Sequence, residues 1–193
     1  MADPNEESDW AQACGGDERA FAALFDRHYE RVFRHVLALT EQSADADEVT
    51  AATFLALWQL RSRVRVVGGS VLPWLLVTAG NLARNHGRLA QRYRKVLARM
   101  PRDSDGADAS VIVGERDLAV RRAGALGDAL DRLPAKDAQL IALTAFDEIS
   151  ITDAAAVLGI SPGAARVRLH RARLRLQDLI DLPGQHALRG ETL

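Results

Sequence analysis

The stretch ISITDAAAVLGISPGAARVRLHRARLRL, residues 149–176, decides the fold of the carboxy-terminal part of the chain. Ser150 and Asp153 have the spacing of a capping box, and Ile151, Ala154, Ala155 and Leu158 share one helical face. Gly159 suits the left-handed residue that ends a helix, and Ser161 followed by Pro162 opens another. Helix, tight turn and helix in this order is the form of a helix-turn-helix. On a wheel of about 100° per residue, Ala165, Leu169, Ala172, Leu176 and Leu179 of the second helix fall on a buried arc. Arg166, Val167, His170 and Arg171 fall on the opposite one. Five Arg stand between 166 and 175 with no acid among them. A recognition helix presents such an arc to the major groove, where Arg donates twice to guanine O6 and N7. Arg168, Arg173 and Arg175 flank the arc and suit phosphates. A solvated basic face is the plain alternative, and the acid-free run placed after a tight turn favours DNA over it.

Working towards the amino terminus, Ala138, Ile141, Ala142 and Ala145 form one apolar stripe, and Leu126, Ala129, Leu130 and Leu133 form another that stops at Pro134. The run PRDSDGADASVIVGER, residues 101–116, carries no helical stripe of any length and reads as a linker. Before it, Pro73 is acceptable in a first helical turn and the chain then runs without proline to Met100. On that helix Asn81, Arg84, Asn85, Arg88, Arg92, Lys95 and Arg99 recur at three and four spacing, while Leu75, Leu82, Leu89 and Val96 occupy the neighbouring arc and can bury. Trp74 projects onto the basic arc, where it serves equally as a stacking surface or as core. Arg, amides and an aromatic on one face are what single-stranded nucleic acid calls for. The 64–72 stretch, with Gly68 and Gly69, reads as a loop. Asp45 and Glu48 in capping-box spacing announce a helix carrying Phe54, Leu55 and Trp58. An earlier helix has the stripe Phe21, Leu24, Phe25, His28, Val32, Phe33, Val36 and Leu37. With no period of two and no internal repeat, the expectation is an all-α chain of two small domains joined by a flexible linker.

Net charge hides this organisation. The 193 residues sum to −1, yet residues 1–60 hold 12 acidic and 4 basic side chains, whereas residues 61–100 hold 9 basic and no acidic ones. Residues 101–160 are acidic again and 161–193 basic. Since a phosphate senses charge within a Debye length of roughly 8 to 10 Å, local stripes matter more than the total. A single cysteine, Cys14, excludes an internal disulfide framework and points to a reducing, cytoplasmic setting. The opening residues MADPNEESDW are acidic and lack a signal's apolar core, and no apolar run approaches a membrane span. His28 and His35 share a face, but two histidines without a third ligand make a poor metal site, and Asp45, Asp47 and Glu48 are explained by a helix start. No nucleophile elbow, phosphate-cradling loop or zinc-spaced set occurs, so neither metal nor cofactor nor catalysis is expected.

Three blocks, DADEVTAATFLALW at 45–58, PWLLVTAGNLARNHGRL at 73–89 and ISITDAAAVLGISPGAARVRLHRAR at 149–173, resemble the extracytoplasmic-function (ECF) RNA polymerase sigma factors. The resemblance spans roughly residues 17–182 and implies a region 2 helical bundle at 17–100 and a region 4 helix-turn-helix at 117–182. The linker takes up 101–116, between an acidic extension at 1–16 and a tail at 183–193. It implies core RNA polymerase, through its clamp helices and flap, promoter DNA and an anti-sigma factor as partners. Asp45, Asp47, Glu48 and Val49 stand where the family docks on polymerase, although Ala51 and Ala52 replace a usual Gln-Glu. The 64–72 loop matches the one that captures a flipped minus-10 base, and Trp74, Asn81, Arg84, Asn85 and Arg88 match residues on the melted strand, Asn85 replacing a usual Asp. Arg166, Val167, His170 and Arg171, flanked by Arg168 and Arg173, match the minus-35 contacts, with Val167 for Ser and Ala164 for Thr. The competing expectations are a conventional helix-turn-helix regulator with a ligand-binding or dimerisation domain, and a helical protein-binding adaptor.

Overall fold

The computed structural model describes residues 4–40, 43–97, 129–130 and 132–181. The linker at 101–116 and the tail at 183–193 lie outside them, as do the side chains of Arg92, Lys95, Val96 and Arg99. Among the described residues the named elements are helical: α1 Pro4–Cys14, α2 Glu18–Leu37, α3 Ser43–Leu60, α4 Leu72–Leu97, α5 Ala135–Ile141, α6 Ile151–Val157 and α7 Pro162–Asp181.

Within the acidic extension expected at residues 1–16, Pro4–Cys14 form helix α1. Glu6 and Glu7 lie in its first turn, where carboxylates complement the macrodipole. Trp10 and Ala13 enter the core against α2. Gly16, at φ 97°, turns the chain, and the Asp17 carboxylate then caps α2 by accepting from the amides of Arg19 and Ala20 at 2.8 and 3.2 Å. Leu24, Val32 and Val36 of α2, Leu57 of α3, and Leu75 and Leu76 of α4 are the centre of the first bundle. Leu37, expected in the stripe, is 41% exposed, because Val36 takes the core position on that last turn. Helix α3 begins at Ser43, so Asp45 and Glu48 sit within its opening turns and not at a cap as their spacing suggested.

The 64–72 segment is a tight hairpin-like turn. Val67 and Ser70 exchange backbone hydrogen bonds at 3.2 Å, with Gly68 and Gly69 between them at φ 63° and 75°. Helix α4 follows, its Leu72 amide capped by the Ser70 hydroxyl at 3.0 Å. His86 of α4 lies within 4.0 Å of Asp45 and Glu48 at the start of α3. Leu89, one turn further along, is already past the helix it was expected to pack on and stands 67% exposed.

The second bundle joins α5, α6 and α7, with Ala129, Leu130 and Leu133 buried alongside. After α5 the helix widens into a π-turn over Ala142–Phe146, where the Thr144 hydroxyl donates to the Leu140 carbonyl at 2.6 Å and competes with the backbone ladder. The two bundles pack on one another. His35 of α2 meets the Asp147 carboxylate at 2.6 Å, Arg31 donates to the Asp147 carbonyl, and the Gln139 amide donates to Asn81 at 2.6 Å. His35, Gly80, Arg84, Gln139 and Leu143 line a small cavity of about 30 Å³ at this seam.

Candidate nucleic-acid interface

The helix-turn-helix forms as its caps require. The Ser150 hydroxyl accepts from the Asp153 amide at 3.1 Å and donates to its carboxylate at 2.7 Å. Gly159 ends α6 at φ 65°, and the Ser161 hydroxyl accepts from the Ala164 amide at 3.2 Å to start α7. Ala165, Leu169 and Ala172 are buried against α5 and α6, with Leu176 and Leu179 packed on the same core. This leaves Arg166, Val167, His170, Arg171 and Arg173 exposed along the outer face, Val167 at 50%. Arg168 takes a different part, since it and Arg175 reach back to the buried Asp137 carboxylate at 3.2 and 3.4 Å. That carboxylate, only 5% exposed in its residue, is neutralised by two half-exposed guanidinium groups and ties α7 to the first turn of α5.

The amino-terminal basic face is divided by the domain seam. Asn85 and Arg88 are exposed and hydrogen-bonded to each other at 2.6 Å. Asn81 is engaged by Gln139, and Arg84 lines the interdomain cavity. Trp74 is half-buried against the core, the packing alternative that its position left open. Among the residues expected to face polymerase, Asp47 and Glu48 are exposed and Asp45 is half-buried. Val49 is 3% exposed, so its side chain packs inside the first bundle and offers no docking surface. Beside them lies a feature that periodicity did not single out: an open apolar groove of about 400 Å³ between α2 and α3, lined by Phe21, Phe25, Phe54, Leu55 and Trp58. Its signal was Leu55, large and apolar on the side of α3 away from Leu57, and it is 56% exposed.

Other chemistry is sparse. Burial pushes the Cys14 thiol up, against the opposing charge of Arg61, away from thiolate reactivity. Among the described residues no three His, Cys, Asp or Glu side chains gather as metal ligands, and no helix is long and apolar enough to cross a membrane. His28 and His35 each have a carboxylate partner, Glu6 at 2.9 Å and Asp147 at 2.6 Å.

A helix-turn-helix with an arginine-rich outer face, packed on a second helical bundle with its own basic helix, defines a two-domain DNA-binding transcription factor. Family comparison agrees: the Sigma-70 region 2 model matches residues 24–93 and the Sigma-70, region 4 model residues 123–176. RNA polymerase sigma factor CarQ of Myxococcus xanthus is 35% identical over 166 residues, covering 86% of this chain and 91% of its own. ECF RNA polymerase sigma factor SigL of Mycobacterium tuberculosis is 31% identical over 174 residues, covering 86% and 94%. A structure of CnrH in complex with the cytosolic domain of CnrY superposes with a TM-score of 0.63 at 26% identity, over 93% of this chain and 99% of that one. The sigma factor RpoE of Bartonella quintana, in complex with the anti-sigma factor NepR, shares the fold, with a TM-score of 0.51 at 20% identity over 85% and 98%. The chain belongs to the ECF RNA polymerase sigma factors. It binds core RNA polymerase and directs promoter-specific transcription initiation, and the conventional-regulator reading is not favoured.

Proposed function

We propose that initiation is divided between the two domains at specific residues. Arg166, Val167, His170 and Arg171 read the duplex minus-35 element in the major groove, with Arg173 on its phosphates. The 64–72 loop captures a flipped minus-10 base, and Asn81, Arg84, Asn85 and Arg88 hold the melted strand. Asp45, Asp47 and Glu48 dock on the clamp helices, joined by the apolar groove around Leu55, where burial adds area that the charged residues lack. The observation that carries this reading is the outer face of α7, where four neighbouring side chains point away from a buried Ala165, Leu169 and Ala172 seam.

Promoter engagement also requires the domains to part, since the Asn81 carbonyl oxygen that would meet a base is held by Gln139. The closed packing is thus a resting arrangement, and an anti-sigma factor is the partner suited to prolong it; one structural relative, RpoE of Bartonella quintana, was solved bound to the anti-sigma factor NepR. No reacting group is needed, because unstacking a base costs only a few kcal/mol and stacking with pocket contacts offsets it. The protein acts beside polymerase inside the cell and catalyses nothing itself. Run-off transcription with purified core polymerase tests the assignment. Arg171→Ala lowers initiation from a minus-35-dependent promoter while leaving polymerase affinity intact; equal loss of both refutes the division of labour.

A further inference from the structure

The base-capture loop is tied to the beginning of the chain through one carboxylate. Glu6 of α1 is 4% exposed, and a single oxygen, Oε1, accepts from the Ser70 hydroxyl at 2.7 Å, the Val71 amide at 2.9 Å and His28 Nε2 at 2.9 Å. His28 is itself 5% exposed and fixed on α2. Ser70 passes the connection on, for the hydroxyl that donates to Glu6 also accepts the Leu72 amide that starts α4. The turn is therefore pinned on its carboxy-terminal side by a buried charge-assisted cluster, while Gly68 and Gly69 leave its tip free of side chains. A hollow of about 200 Å³ separates α1 from the loop, walled by Glu6, Glu7, Trp10, Val66, Gly69 and Val71. Val67 and Val71 of the loop are buried, so apolar packing holds its flanks while the Glu6 hydrogen bonds fix its carboxy-terminal side. A carboxylate buried this deeply is costly unless every lone pair is used, and its three partners sit on the elements that frame the loop.

From this we infer that Glu6 is a positioning residue for minus-10 recognition, with α1 acting as a strut that sets where the capture loop meets the flipped base. The inference rests on the reading of the 64–72 loop as the capture element. Its effect should appear as selectivity, because a loop released from Ser70 and Val71 still exists but no longer holds one geometry against the wrong base.

The test uses reconstituted holoenzyme and promoter templates in which each minus-10 position is substituted in turn, scored by run-off transcription and by permanganate reactivity of the melted strand. Glu6→Ala should compress discrimination at one minus-10 position about tenfold, the scale of a lost hydrogen bond to a charged acceptor. Minus-35 discrimination and polymerase affinity should stay within about twofold, a spread below the energy of one such bond. Glu6→Gln, which keeps an acceptor oxygen for Ser70 and Val71, should recover most of the selectivity. Ser70→Ala removes one of the two links to the loop, leaving Glu6 with His28 and the Val71 amide, and it should reproduce part of the defect even where Glu6→Ala folds poorly. Unchanged discrimination in both Glu6→Ala and Ser70→Ala, with a uniform fall in stability, overturns the inference. The capture reading is checked separately by Val66→Asp at the loop: if that change too leaves every position unaffected, the loop assignment fails, whereas sensitivity to Val66→Asp alone refutes only the role of Glu6.

Discussion

Replacing Asp147 by Asn should open the molecule. Asp147 is 5% exposed and its carboxylate meets His35, 4% exposed, at 2.6 Å across the domain seam. A hydrogen bond to a charged group is worth about 1.5–3 kcal/mol. Asn keeps one acceptor for the imidazole N–H, so the lower end applies, and about 1.5 kcal/mol shifts the packing equilibrium on the order of 10-fold. The loss falls on the packed state alone, because His35 regains water once the second bundle leaves. Arg31 still has the Asp147 carbonyl and Gln139 still has Asn81, which act against complete release. Small-angle scattering reads the result as an increase in radius of gyration over the wild type, and hydrogen exchange reads it as lost protection at α2 and α5. A His35→Ala and Asp147→Asn double-mutant cycle must return a coupling above about 1 kcal/mol, as contacting buried groups do. Unchanged scattering together with additive single effects would refute the reasoning, since it would mean that the pair contributes nothing to holding the domains together.

Other perturbations follow from individual contacts. Arg171→Ala should cost about 1–3 kcal/mol at the cognate minus-35 sequence and relax preference there, read by competitive run-off across altered minus-35 templates. Arg173→Ala should weaken all sequences alike and make the salt dependence shallower by about one counterion, read by promoter affinity against salt concentration. Ser161→Ala removes the acceptor for the Ala164 amide and should destabilise the second bundle by about 1 kcal/mol, visible in thermal melting. Burial pushes the Glu6 carboxyl up, but the hydrogen bonds from His28, Ser70 and Val71 and the charge of His28 outweigh it and leave it below its ordinary 4.5. It therefore favours the folded state above that value, and the contribution is lost as pH falls through the lowered one. Acid titration should release α1 in that range, followed by the fluorescence of buried Trp10, and Glu6→Gln should blunt the dependence.

The helix-turn-helix was legible because its information is local: Ser150, Gly159, Ser161 and the Ala165, Leu169, Ala172 seam each act within a few residues. Helix α1 was not, since acids dominate residues 1–10 and its apolar stripe amounts to little more than Trp10 and Ala13. A carboxylate such as Glu6 looks like surface until His28, 22 positions on, and Ser70, 64 positions on, are placed beside it. The seam was hidden for the same reason, with His35 and Asp147 112 positions apart and a linker reading that suggested independence. Periodicity identified helix faces correctly but not where neighbours stop, which is why Leu37 and Leu89 emerge into solvent. The resemblance placed Val49 at a docking surface, yet a motif position says nothing of which way the side chain turns.

Gly68 carries a consequence of its own. Its φ of 63° forms the tip of the turn, and a Cβ there would lie 3.2 Å from a carboxylate oxygen of Asp153, on the first helix of the helix-turn-helix. Any side chain at this position strains the loop, and its Cβ presses on the Asp153 carboxylate of the second domain, which must give way by a few tenths of an ångström. On the capture reading proposed above, such a variant would be poorer at choosing its minus-10 base and looser where the two halves meet. Both effects would arise from one added methyl group, because a contact between the halves lies at the tip of the loop proposed to capture the base.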